Sequence, residues 1–111
     1  MSDPHDPPEG VSAASARDQI TRILESRHFA KAERLRRFLR FVSEETLAGR
    51  AVAIKETVVG IDVFGRPAAT FDPRADPIVR VQAGRVRAKL DDYYAEEGAG
   101  DGILVEVPQF R

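Results

Sequence analysis

A chain of 111 residues is one domain's worth, long enough to bury a single modest core. Its 42% hydrophobic and 32% charged residues, with a net charge of −1, suit a folded domain rather than a disordered one. The absence of cysteine excludes disulfides and thiolate metal sites, and two distant histidines, His5 and His28, do not make a metal site. No apolar run approaches the ~18 residues that span a bilayer, and the N-terminus lacks an apolar signal core, so a cytoplasmic protein with no membrane partner, cofactor or metal is expected.

Residues 1–13, rich in Pro, Asp, Ser and Gly, read as a disordered leader ahead of one domain over 14–111. A first helix is expected over about 14–26. It carries Ile20, Ile23 and Leu24 on one face, with Ser12 or Ser15 as cap. A second is expected over about 31–48, where Leu35, Phe38, Leu39, Val42 and Thr46 form an apolar-face stripe and Gly49 follows as the stop. Phe41 lies off that stripe and is expected to pack against a second neighbour. Residues 14–50 hold nine basic and five acidic side chains, a surplus of +4. The spacing of Arg34, Arg36, Arg37 and Arg40 leaves three uses open: a phosphate-contacting surface, a docking face, or a solvated face. In the last, Glu33–Arg37 and Arg40–Glu44 would pair along the helix.

A short third helix fits about 55–63 with Ile54, Val58 and Ile61 inward, and Phe71 anchors the loop that follows. The fourth helix is expected over about 77–94, with Asp76 as N-cap and Pro77 in the first turn. At about 100° per residue, Val79, Ala83, Val86, Leu90 and Tyr93 share one buried face. Arg80 and Arg87 fall on one flank with Gly84 close by. Arg85 and Lys89 fall on the other beside Gln82, and Val81 and Ala88 form the outer pole. Residues 72–90 carry a surplus of +3, five basic against two acidic, whereas residues 91–106 hold six acidic side chains and no basic one. Two basic flanks around a slim outer surface suit a helix entering the major groove, where arginine reaches guanine or phosphate and glutamine pairs with adenine. Arg74, just ahead of this helix, is placed to touch a phosphate. Glycines at 98, 100 and 102 open a turn, and Ile103-Leu104-Val105-Glu106-Val107 alternates as a strand does.

The string Val79-Arg80-Val81-Gln82-Ala83-Gly84-Arg85-Val86-Arg87-Ala88-Lys89-Leu90 resembles the recognition helix of OmpR/PhoB-type winged-helix domains. A second resemblance, from about Ile20 to Phe110, rests on Arg34-Leu35-Arg36-Arg37-Phe38-Leu39, Val63-Phe64-Gly65-Arg66, Phe71-Asp72-Pro73-Arg74 and Asp76-Pro77-Ile78-Val79-Arg80-Val81. These look like a bacterial domain found ahead of tetratricopeptide-repeat or adenylate-cyclase modules, which implies a regulatory setting. Both patterns continue into a full returning strand; here the chain reads Val107-Pro108-Gln109-Phe110-Arg111, a short wing without a basic tip.

The resulting expectation is a mainly α winged helix-turn-helix of three to four helices with a C-terminal β-hairpin wing. Its function would be sequence-specific binding of double-stranded DNA in transcriptional control, as a homodimer, with RNA polymerase or another regulator as a further partner. The resemblance makes Arg85 and Arg87 the foremost DNA contacts. Arg74, Arg80, Gln82, Gly84 and Lys89 complete the set. The alternative is a protein-interaction module that keeps the winged-helix shape without DNA binding. Adjacent acids such as Asp91-Asp92 and Glu96-Glu97 point about 100° apart on a helix, so no paired-carboxylate chemistry and no enzyme is expected.

Overall fold

The computed structural model describes residues 11–110. The leader expected over 1–13 lies outside the described residues except for its last three, of which Ser12 caps the first helix and Ala13 begins it. Four α-helices follow in order: α1 Ala13–Glu25, α2 Glu33–Leu47, α3 Glu56–Asp62 and α4 Ile78–Ala95, with a 3-10 turn at Ala51–Ala53. The Ser12 hydroxyl accepts the Ser15 N–H at 3.0 Å, satisfying one of the free donors of the first turn. Gly49 follows α2 with φ +80°, a left-handed conformation that glycine adopts without Cβ strain. The start of α4 falls one residue later than expected, with Pro77 in the cap position. Asp76 still accepts the Ile78 N–H at 3.1 Å, so the capping chemistry holds.

α2 is the central helix, packed on α1 and α4, and α3 closes on α4. Leu35, Phe38, Leu39 and Val42 of α2 meet Val79, Ala83, Val86, Leu90 and Tyr93 of α4 in one core, as their spacing requires, while Thr46 is exposed. Phe38 has no exposure; its ring stacks on Phe64 with centroids 5.9 Å apart and meets the edge of Phe110 at 6.1 Å. Phe41 is half-buried and packs on the edge of this core. α3 turns its inner face one residue from the expected one: Val59 and, just past the helix, Val63 are buried, whereas Val58 and Ile61 are half-buried. The Phe71 ring lies so close over Gly60 that no Cβ would fit there, which anchors the loop onto α3.

The winged-helix fold does not form. Among the described residues there is no strand and no sheet, and the domain is all-helical. The alternation expected in 103–107 is present: Ile103 and Val105 are half-buried, Val107 is buried, and Leu104 and Glu106 are exposed. A sheet also needs a second run to exchange backbone hydrogen bonds, and no described segment lies alongside to supply one. The segment is held by side chains of α4 instead. The Tyr94 hydroxyl donates to the Ile103 carbonyl at 2.7 Å and accepts the Val105 N–H at 2.9 Å, and the Arg87 guanidinium donates to the Pro108 carbonyl at 2.5 Å.

A polar clasp ties the end of α4 to α1. The Asp101 carboxylate accepts the Tyr93 hydroxyl, accepts the Gln19 side-chain amide at 2.8 Å, and pairs with Arg22 at 3.5 Å. Gln19 is fully buried, so this hydrogen bond satisfies a donor that water does not reach. One turn further, Arg27 pairs with both Glu96 and Glu97. The hydrogen bonds from Tyr93 and then Gln19 hold the Asp101 carboxyl below the usual carboxylate range. Burial first, and then Asp101, push the Tyr93 hydroxyl up to about 12.

The clasp therefore has a pH signature. A carboxyl depressed on folding contributes stability above its unfolded value, near 3.8, and that contribution is lost as pH falls through the lower folded value. A raised phenol contributes below pH 10 and loses its contribution as pH rises toward about 12. Thermal melts are expected to weaken at both ends, and Asp101→Asn should flatten the acid limb relative to wild type. An acid limb unchanged by that substitution would remove Asp101 from this role.

Candidate interaction face on α4

The expected site residues do not form one outward ridge. Gln82, expected on a flank, is 5% exposed and faces the core. Arg80 donates to the Glu56 carboxylate at 2.9 Å and to the Pro73 carbonyl at 2.7 Å. The Glu56 side chain is only 9% exposed, so Arg80 is the charge that compensates a shielded carboxylate at the start of α3. Arg87 is half-buried and spent on Pro108. Of the two basic flanks, the one carrying Arg80 and Arg87 is thus closed by the protein itself.

The other flank is open. Arg85 is exposed and Lys89 half-exposed, and neither has an ion-pair or hydrogen-bond partner among the described residues. Arg74 is well exposed but folded back on Asp72, whose carboxyl is lowered by the Arg74 backbone N–H and then by its side chain. Arg74 and Arg80 share the rim of an open basin with Lys55, which the sequence reading did not include and which no local pattern marks. Along α2, Arg34, Arg37 and Arg40 are exposed, and neither the Glu33–Arg37 nor the Arg40–Glu44 pair closes among the described residues.

Gly84 is exposed, and a Cβ built there meets nothing within 4 Å. No packing inside the domain calls for a glycine at this position, although glycine weakens a helix interior. Gly84→Ala is accordingly expected to raise folding stability by about 0.5–1 kcal/mol, measured by urea unfolding. A loss of stability would show an internal packing demand on Gly84.

The outward surface of α4 is therefore Val81, at 45% exposure, with Gly84, Arg85, Ala88, Asp91, Asp92 and Ala95. Lone Arg85 stands on it against two carboxylates. Among the described residues, no group of three His, Cys, Asp or Glu side chains is placed to hold a metal ion, and no helix is long and apolar enough to cross a membrane. Comparison with family models, curated proteins and solved structures found no match to this chain.

Proposed function

We propose that the domain is a protein-interaction module that docks its partner on the outward face of α4. The observation that carries this reading is the internal use of Arg80 and Arg87, which leaves an outer face that is small, partly apolar and close to charge-neutral. A helix laid against a partner helix or groove uses positions spaced by three, four and seven residues, and Val81, Gly84, Ala88 and Ala95 have that spacing. Gly84 adds clearance that the domain's own packing does not use.

The setting of this activity, a bacterial cytoplasmic regulatory system, rests on the sequence resemblance, and catalysis forms no part of the reading. The test is a photo-crosslinking residue in place of Ala88 in the full chain, expressed in the native host, with the same residue at Arg17 as control. Protein adducts specific to position 88 are expected. Adducts to nucleic acid alone, or the same adducts from both positions, would overturn it.

A second reading, double-stranded DNA binding by α4, is favoured by one observation: Arg85 and Lys89 lie unpaired on a single flank beside the open Gly84. Two phosphate contacts would give a log affinity to log salt slope of only about −2. DNA retention with that slope, abolished by Arg85→Ala, would select this reading over the first.

A further inference from the structure

The outward face of α4 is complementary to itself when two helices run antiparallel, and we infer that its partner is a second copy of this chain. The inference rests on the interaction reading above and names the partner of that same face. Ala88 stands at the outer pole. Val81 and Ala95 lie one heptad to either side of it, separated by about 21 Å along the axis. Arg85 and Asp92 flank the pole at about 60° and 40°, both on the same side, one toward each end of the helix.

A two-fold axis perpendicular to the plane of two antiparallel helices reverses direction along the axis and preserves the side. Arg85 of one copy then meets the partner's Asp92, and the symmetry repeats the pair. The small Ala88 side chains occupy the centre, Gly84 gives room beside the partner's Asp91, and Val81 covers the partner's Ala95.

Charge complementarity selects this occupant. Arg85, Asp91 and Asp92 have no ion-pair partner among the described residues, whereas Glu96 and Glu97 on the next turn are already drawn to Arg27. A parallel arrangement keeps the level but reverses the side, so it would set Arg85 beside the partner's Gly84 and Asp92 beside the partner's Asp91, two carboxylates with no cation between them. One helix face per copy is a small interface, so a weak, concentration-dependent dimer with a dissociation constant of the order of 10 µM is expected.

Sedimentation velocity of the full chain from about 5 to 500 µM at low salt tests this, as concentrations bracketing that constant. Arg85→Asp and Asp92→Arg are each expected to weaken dimerisation at least about tenfold, because each sets like charges opposite one another twice. The double variant R85D/D92R should return to within about threefold of wild type. Both sites are exposed, and circular dichroism confirms the fold of each of the three variants. A chain that stays monomeric throughout, a dimer indifferent to the single reversals, or a double variant that does not recover would each overturn the inference. If the chain is monomeric while position 88 still crosslinks to a different protein, the interaction reading stands and self-association falls. If both experiments fail, both readings fall.

Discussion

Phe38→Ala is expected to leave the domain barely stable at 37 °C. The side chain has no exposure, and its ring joins α2 to Phe64 beyond α3 and to Phe110 in the terminal segment. Truncating a buried phenylalanine removes its transfer free energy and leaves a cavity, together about 3–5 kcal/mol. The body measures 42 × 37 × 18 Å, so its core is a single layer with little beneath to collapse into the space. Domains of this size hold about 5–15 kcal/mol in total, and each kcal/mol moves the melting temperature by about 4–8 °C. A fall of at least about 12 °C is therefore expected by circular dichroism. A loss under about 1 kcal/mol would mean that the three rings are not the link between these elements.

The second large effect concerns the segment that does not become a strand. Tyr94→Phe is expected to remove both hydrogen bonds that tie Ile103 and Val105 to α4, at a cost of about 1–3 kcal/mol. Native-state hydrogen exchange should show the Val105 amide losing its protection by local opening, well ahead of the amides of α4. The result separates two kinds of attachment. A segment paired in a sheet would keep its protection when one phenol is lost; a segment pinned by that phenol would not. Unchanged exchange at Val105 would contradict the attachment described above.

Helical periodicity made most of the core legible. Leu35, Phe38, Leu39 and Val42, and the five inward residues of α4, follow from 3.6-residue spacing because a helix face is a local property. The errors arose where a partner far along the chain decides the outcome. Gln82 lies only about 20° beyond the edge of the buried arc of α4, close enough for packing from outside the helix to enclose it. Arg80 and Arg87 were placed on the correct flank, but Glu56 and Pro108, 24 and 21 residues away, claim them. The alternation of residues 103–107 was real, yet a hairpin also needs a mate, and alternation in one run carries no information about a second. α3, with seven residues and four β-branched ones, is too short for its pattern to fix its inner face to better than one residue. The clasp of Gln19 and Asp101 had no sequence signal at all, since neither residue type predicts burial.

That clasp bears on how the chain is made. It joins residues 82 positions apart, so α1 can emerge from the ribosome and coil on its own, but its buried amide finds neither of its acceptors, the Tyr94 hydroxyl and then the Asp101 carboxylate, until the end of the last helix and the turn after it have been synthesised. Closure over such a distance is the slow, entropically costly part of folding a small helical domain. During translation, the first helix waits for the last turn.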